Sequence, residues 1–463
     1  MGLKKRNKSP AAKEAAADPR SLGMSLGDLL QLLGQAEAND AARAALELTP
    51  KAVQDDSRKV GAGDLFVAVR GLRSDGHDYA SACVDAGASA LVVERFLDLD
   101  VPQLLVPNGS KALGVLAAHA VGQPDRELDT VGITGTNGKT TTTYLVEAML
   151  NAADRSPGLV GTVSYRWGGR DRKANYTTPT PIVLQGVLRE MADDGCDSAV
   201  LEVSSAALHM DRLMGTHFQV AAFSNLSQDH LDVHKSMEEY GAAKARLFRD
   251  HMAEGASAVI NVDDPSASIM LDAVPEGRRV FRVSRKGNLR AEIQVLDFDS
   301  SIRGIVARIR TPRGVLRIEA PALLGEYNVD NIALAVGIGE ALGLAHADIA
   351  GGIAALLLAT GLLTFFIVRS ITRPLGKLAQ ATEMLAAGEA TVEVPGRGMV
   401  DGVSSAPVIV RGKGKYPDDP ADPVVHAAPG VQVPMAAIVL QDEEPDQKPS
   451  RRDRQDQSEP VAV

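Results

Sequence analysis

The sequence predicts an α/β fold with a parallel central sheet, and three observations carry that prediction. Between residues 109 and 348, short β-branched runs (TVGIT, GLVGTV, SAVLEV, VAAFSN and SAVINV) alternate with stretches of helical spacing. This is the pattern of a parallel sheet with helices on both faces. The first run opens onto a glycine-rich turn and a new helical pattern in Val131–Thr143, VGITGTNGKTTTT. Aromatic residues make up only 4% of the 463-residue chain, which suits a layered protein rich in alanine, glycine and valine.

The length corresponds to about three domains. A formal net charge of −10 argues against a nucleic-acid partner. Cys83 and Cys196 are the only cysteines, too few for a disulfide framework, so a reducing cytoplasm is the expected compartment. Residues 1–20 are basic but lack an apolar core, so they are expected to be a disordered lead-in and not a secretory signal.

A small α/β unit is expected over 21–108. MSLGDLLQLLG has helical spacing, while Leu65–Val69 (LFVAV) and Ala90–Glu94 (ALVVE) read as buried strands. Asp56, Ser57 and Arg58 read as a turn with a helix cap. The polar loop Gly71–Tyr79 brings donors of both kinds near the same strand ends and is a weak signal for an anion or sugar site.

The central unit, 109–348, carries the stronger signals. Gly135, Thr136, Asn137, Gly138, Lys139, Thr140 and Thr141 form a variant phosphate loop. Small residues let backbone N–H groups close around phosphate at a helix N-terminus, lysine adds mobile charge, and Thr140 is placed to hold magnesium. The strict pattern wants glycine where this chain has Ile133. A bare strand-to-helix turn leaves the Gly-Lys-Thr order unexplained. Further polar residues follow the other strands: Glu202 with Ser204, Asn225, Asn261 and Asp263. In such sheets ligands gather at the carboxyl ends of the strands. In NLSQDHLDVHKSMEEY, His230 and His234 are spaced to share a helical face beside Asp229 and Asp232. A zinc pair lacks a third ligand there, and a carboxylate-and-imidazole magnesium site fits the neighbouring loop better.

The segments GITGTNGKTTT, TTPTP, LEVSS, FSNLSQDHLDVH, YGAAKARLF, NVDDP and LLGEYNVDNIALA occur in that order. Together with DDSR…GDLFVAVRG…DGHDY they resemble the Mur ligase family over about residues 21–356. The resemblance implies a small nucleotide-sugar domain and a central ATPase domain. It also implies an ATP-dependent amide ligase of peptidoglycan synthesis, adding the third peptide residue (diaminopimelate or lysine) to UDP-N-acetylmuramoyl-L-Ala-D-Glu through an acyl phosphate. On this resemblance Lys139 contacts the transferred phosphate, and Thr140 and Glu202 bind a first magnesium ion. His230 binds a second, helped by a carbamylated Lys244. Ser57, Leu72, Arg73 and Ser74 match uridine-diphosphate contacts. Thr177, Thr178, Ser204 and Arg212 match the muramoyl-peptide end, and Asn328 and Asn331 flank adenine. Two positions depart from the family pattern: Ala206 replaces a histidine, and Met210 stands where a glutamine is often found.

A third ligase domain is expected after Leu356, but its Asp-Tyr-Ala-His and Asn-Pro-Arg motifs do not occur. Instead Ile349–Val368 is uncharged and long enough to span a bilayer, with a buried Ala/Gly-rich helix as the alternative. Residues 369–397 resemble the membrane exit and first helix of a HAMP signalling linker, and 398–463 have the composition of a disordered tail. The competing readings are therefore a cytoplasmic and monomeric ligase body, a membrane-tethered nucleotide-sensing module, or a fusion without integrated function.

Overall fold

The computed structural model describes residues 22–71, 74–229, 234–321 and 323–356, with the backbone of 392–393 and 409–410. The first unit of the chain runs to Ser370 and holds two sheets. In the second unit, Val392–Glu393 and Ile409–Val410 pair as a short antiparallel ladder. The lead-in, the HAMP-like segment and the tail otherwise lie outside the described residues.

The small sheet contains β1 (Glu37–Ala38), β2 (Val53–Gln54), β3 (Leu65–Val67), β4 (Ala90–Val93) and β5 (Gln103–Leu105). Their order is β1-β5-β4-β3-β2, parallel except for β1. Every residue of β3 and β4 is buried, which is why both read as uninterrupted apolar runs. Helix α1 (Leu26–Leu33) starts with a capping box between Ser25 and Asp28 and stops at Gly34, whose φ of 64° suits glycine. Two short helices follow, α2 (Asp40–Ala44) and α3 (Ala80–Asp85). Helix α4 (Gly109–Ala120) is capped by Asn108 and contributes Ala112, Leu113 and Leu116 to the small core. The boundary expected after residue 108 thus falls at the cap of a helix that packs with the small sheet.

The large sheet is built on β6 (Asp129–Thr134), β7 (Pro157–Val160), β10 (Ser198–Glu202), β11 (Phe218–Phe223), β12 (Met252–Asn261), β13 (Arg279–Ser284) and β14 (Ile293–Ser301). All of these pair in parallel, in the order β14-β13-β12-β11-β6-β10-β7. Antiparallel strands extend both edges: β8 (Ser164–Trp167) and β9 (Arg170–Lys173) beyond β7, and β15 (Gly304–Thr311) and β16 (Gly314–Ala320) beyond β14.

One face is covered by α5 (Lys139–Ala152), α10 (Glu326–Ala341) and α11 (His346–Ala355), which share a single apolar cluster. On the other lie α6 (Pro181–Asp193), α7 (Ser205–His209), α8 (Met237–His251) and α9 (Ala267–Ala273). From β6 the chain crosses towards β7, whereas from β11 it crosses towards β12. The order therefore reverses between β6 and β11, where doubly wound sheets open a crevice for ligand.

The two sheets meet along a tight seam. A Cβ on Gly114 of α4 would come within 2.5 Å of the Met214 backbone oxygen, and one on Gly215 within 2.6 Å of the Gly114 oxygen. Only glycine allows backbones to approach so closely.

The expected membrane span divides differently in the structure. Residues 349–355 complete α11, where Ile349 and Ile353 are buried against the central core. A Cβ on Gly352 would meet the Met149 Cα at 2.5 Å. Among the described residues no helix is long and apolar enough to cross a membrane, and 357–368 lie outside them.

Candidate active site

The phosphate loop follows β6 into the switch-point crevice. Gly135 and Gly138 take φ values of 148° and 87°, in the region that favours glycine. Both are also crowded: an added Cβ would sit 1.9 Å from Ser224 Oγ at Gly135 and 2.1 Å from Asn331 Oδ1 at Gly138. The loop is braced by the segment after β11. Asn137 N–H donates to Asn225 Oδ1 (3.0 Å), while Asn225 Nδ2 and Ser224 Oγ donate to the Asn137 carbonyl (3.0 and 2.6 Å). Thr136 N–H donates to the Asn225 carbonyl at 2.8 Å, and Ser227 N–H donates to Thr136 Oγ1 at 3.0 Å.

Lys139, the first residue of α5, folds back so that Nζ donates to the carbonyls of Gly135 and Thr136, both at 2.9 Å. Lys244 reaches the same Gly135 carbonyl from α8, also at 2.9 Å, over the ring of Tyr240. It is 1% exposed. Burial, reinforced by the Lys139 charge, pushes its ammonium down to about 6. Lys139 is lowered as well, chiefly by burial, with Glu202 and Asp229 opposing. Two desolvated amines thus converge on one carbonyl, an arrangement that favours an arriving anion.

Glu202 ends β10 beside them and is 1% exposed. Its Oε2 accepts from Thr140 Oγ1 (2.9 Å) and Thr162 Oγ1 (3.0 Å), and its Oε1 from Thr162 N–H (3.0 Å). A hydroxyl and a carboxylate side by side are hard oxygen donors, the set that magnesium takes together with water and phosphate oxygens. Among the described residues no three His, Cys, Asp or Glu side chains cluster as a metal site by themselves.

A second group of residues lies past β10. Thr178 Oγ1 donates to the Glu202 carbonyl at 2.7 Å and accepts from Ser204 N–H at 3.1 Å. Arg212 Nη1 donates to the Thr178 carbonyl at 3.2 Å, and its guanidinium lies over the Tyr176 ring. Thr177 Oγ1 is 3.1 Å from Thr162 Oγ1. Thr177, Thr178, Ser204 and Arg212 therefore form one patch, continuous with the phosphate loop through Glu202 and Thr162.

Asn328 and Asn331 lie on the first turns of α10, with Asn331 Nδ2 donating to Asn328 Oδ1 at 2.9 Å. Asn331 lines a pocket with Asn137, Gly138, Asn225, Asn261 and Tyr327. Thr141 sits on α5 behind the loop. Ser57 and Ser74 remain on the small domain: Ser57 starts a 3-10 turn capped by Asp56, and the Ser74 carbonyl accepts from Gly71 N–H. Leu72, Arg73 and His230 lie outside the described residues.

Two expectations change. His234 precedes α8, which starts at Met237, and is not helical, so spacing alone does not put it on a helical face with His230. It is buried between the rings of His209 and Tyr240. Asp263 turns away from ligand duty, accepting from Ser284 Oγ and from the N–H groups of Arg285 and Lys286 to close the turn after β13. Sequence reasoning missed Thr162, Tyr176 and Tyr240. Thr162 was open to the strand-end rule, because β7 ends at Val160 and not beyond it. Tyr240 precedes Lys244 by one helical turn.

The crevice, loop and buried lysines define an α/β protein with a P-loop-like turn beside a second polar patch. Residues 133–339 match the Mur ligase middle domain, and 51–121 match the Mur ligase family catalytic domain. Over these residues the chain belongs to the Mur ligase family. It is 42% identical over 340 residues to the UDP-N-acetylmuramoyl-L-alanyl-D-glutamate–2,6-diaminopimelate ligase of Geobacter metallireducens, covering 71% of this chain and 64% of that one. The enzyme of the same name from Bacillus licheniformis is 38% identical over 306 residues, covering 65% and 62%. A solved structure of a ligase with that name superposes with a TM-score of 0.64 at 28% identity, covering 72% of this chain and 66% of that one. The chain spans less than two thirds of the length of these relatives.

Proposed function

We propose that this chain is the nucleotide-sugar- and ATP-binding body of an ATP-dependent amide ligase. Its substrates in this reading are UDP-N-acetylmuramoyl-L-alanyl-D-glutamate and an incoming amino acid, diaminopimelate by likeness to the names of its relatives. The observation that carries the reading is the convergence of Lys139 and Lys244 on the Gly135 carbonyl, beside Glu202 and next to the Thr178–Arg212 patch.

In the reaction, a substrate carboxylate oxygen attacks the γ-phosphorus of ATP and ADP leaves. The amine of the incoming residue then attacks the acyl phosphate, an amide bond forms, and inorganic phosphate departs with loss of a proton from nitrogen. Lys139 exchanges its loop carbonyls for phosphate oxygens and neutralises charge that grows during transfer. The loop N–H groups and the N-terminus of α5 hold the phosphate chain. Thr140 and Glu202 would hold magnesium, which supplies Lewis-acid neutralisation of the phosphate oxygens. Arg212 offers a forked donor to a carboxylate or pyrophosphate, with Thr177, Thr178 and Ser204 around it. Asn328 and Asn331 are assigned in this reading to the adenine end, and Ser57, Leu72, Arg73 and Ser74 to the uridine end. His230 is carried in this reading as the ligand of a second magnesium.

Lys244 is suited to carbamylation. With its pKa pushed down to about 6, it is largely a neutral amine at pH 7. Its lone pair can attack carbon dioxide, forming an N–C bond and releasing a proton. The resulting anion would sit opposite Lys139. Such a protein works in the cytoplasm, where ATP is available, and its site is built from one copy of the chain.

The test is mass spectrometry of product formed by the purified chain with ATP, magnesium, UDP-N-acetylmuramoyl-L-alanyl-D-glutamate and either diaminopimelate or lysine, with Lys139→Ala alongside. We assign none of the described residues to the incoming amino acid, so we expect nucleotide and nucleotide-sugar binding with slow, uncoupled phosphate release. Absence of both binding events would overturn the reading. Full tripeptide formation would overturn the expected uncoupling.

A further inference from the structure

Helix α8 presents two basic side chains to two different places. Lys244 points into the phosphate loop. Arg246, two residues on and about 200° around the helix, points the other way, towards the turn after α7. Arg246 pairs there with the Asp211 carboxylate, donates to the Leu208 carbonyl, and holds Asp250 with Nε at 2.8 Å. Both members of the pair are largely enclosed, with side chains 17% and 9% exposed.

Asp211 is one of few non-glycine residues with a left-handed backbone, at φ 55°, a conformation that must be stabilised by its surroundings. The next residue is Arg212. Its N–H donates to the Ala207 carbonyl at 2.9 Å, and its guanidinium reaches the Thr178 carbonyl and the Tyr176 ring. The direction of Arg212 therefore follows from the turn at Asp211. The second Asp211 oxygen faces Asn108 Nδ2 at 3.4 Å. Asn108 is the cap of α4, which packs with the small sheet. The pair borders an open cleft and not the apolar core.

We propose that Arg246 and Asp211 are positioning residues for the nucleotide-sugar substrate. Their ion pair holds the left-handed turn that aims Arg212, and Asn108 ties this turn to the small domain. The two ends of one extended ligand, pyrophosphate-linked sugar and peptide carboxylate, are thereby kept in register across the seam. The proposal rests on the ligase reading above, because it takes Arg212 as a substrate contact.

The experiment uses the full chain as wild type, Asp211→Asn, Arg246→Met and Arg246→Lys. Asparagine tolerates the left-handed backbone, so Asp211→Asn removes the charge without adding backbone strain. Calorimetry with UDP-N-acetylmuramoyl-L-alanyl-D-glutamate should show binding weakened by roughly tenfold or more in Asp211→Asn and Arg246→Met. Mg-ADP binding should stay within about twofold. Arg246→Lys should recover part of the loss, and a chain carrying both Asp211→Asn and Arg246→Met should be no weaker than the worse single variant. Hydrogen exchange of residues 204–216 should rise in the free variants while that of 139–152 does not.

Unchanged exchange at 204–216, equal losses for both ligands, or unaltered nucleotide-sugar binding would each overturn the proposal. A wild-type chain that failed to bind the nucleotide sugar would instead overturn the ligase reading. The exchange measurement would then decide separately whether Arg246 and Asp211 hold the turn.

Discussion

The phosphate loop and the turn that carries Arg212 follow neighbouring strands, β6 and β10, yet they are held in opposite ways. The loop, braced by Ser224 and Asn225, is shaped above all by missing side chains, since Gly135 and Gly138 leave no room for a single added carbon. The turn is shaped by side chains, with Thr178, Arg246 and Asp211 supplying the bonds and a non-glycine residue adopting the left-handed backbone. A site of the first kind fails when an atom is added. A site of the second kind fails when a partner is removed, and in smaller steps.

The largest effect is expected from Gly138→Ala. The new methyl would collide with Asn331 Oδ1 at 2.1 Å on a residue with φ 87°, so either the loop or the buried Asn331 amide that lines the same pocket must move. ATP binding should weaken by more than about 100-fold, equivalent to roughly 3 kcal/mol. Gly122→Ala is the control: φ is 74°, but nothing lies within 4 Å. It should cost only the backbone strain, about 1 kcal/mol of stability, and leave calorimetric ATP binding unaltered. Equal binding losses in the two variants would remove the distinction between a crowded loop and ordinary strain.

The second prediction concerns the far end of α8. His251 is 1% exposed, with Nδ1 3.3 Å from the Thr216 carbonyl at the end of the Arg212 turn. Burial lowers its pKa from 6.5 to about 4. A folded-state pKa below the unfolded one means that the unfolded chain binds the proton first. The contribution to stability is therefore complete above pH 6.5 and is lost as pH falls towards 4, on the order of 3 kcal/mol in all. Thermal unfolding at pH 7.5 and pH 5 should show a smaller acid loss in His251→Asn than in wild type. An identical loss would mean that His251 does not carry this share of the acid sensitivity.

Next in size is Thr178→Val. It removes the donor to the Glu202 carbonyl and the acceptor for Ser204 N–H while keeping the volume. Leaving such buried groups unpaired costs about 1–3 kcal/mol. We expect that loss in denaturant unfolding and a matching loss of nucleotide-sugar binding, with ATP affected less. A change confined to ATP would place Thr178 with the loop instead of the turn.

The same contrast explains what the sequence disclosed. The glycines, Lys139 and Thr140 are contiguous, and their chemistry requires that order, so the loop was legible as a run of letters. The parallel strands were legible too, because β6, β10 and β11 are buried almost throughout. Lys244 was visible only through resemblance, since nothing local marks a helix lysine as one that will be buried 109 residues away from its partner carbonyl. Arg246 and Asp211 were not visible at all. An arginine followed four residues later by an aspartate reads as a surface pair on a helix, and only the packing of α7 against α8 brings Asp211 within reach. The apolar stretch from Ile349 misled for a related reason. A helix that buries Gly352 against the backbone of α5 and a helix that meets lipid have the same composition.

The smallest effect expected is at Met210, beside the Arg212 guanidinium. The thioether sulfur is 3.6 Å from Arg212 Nη2, a weak acceptor for a strong donor. Met210→Gln would present a carbonyl oxygen to the same guanidinium with little change in length. A net gain of up to about 1 kcal/mol is typical for such an exchange, so nucleotide-sugar binding should tighten by no more than about fivefold, with Mg-ADP binding unmoved. If the turn is set by Asp211 and Arg246, that gain should vanish in Arg246→Met, because Arg212 would no longer be aimed. A gain that persists in the Arg246→Met background would show that Met210 and Arg212 position each other without help from α8. The turn would then be a looser structure than the ion pair beneath it implies.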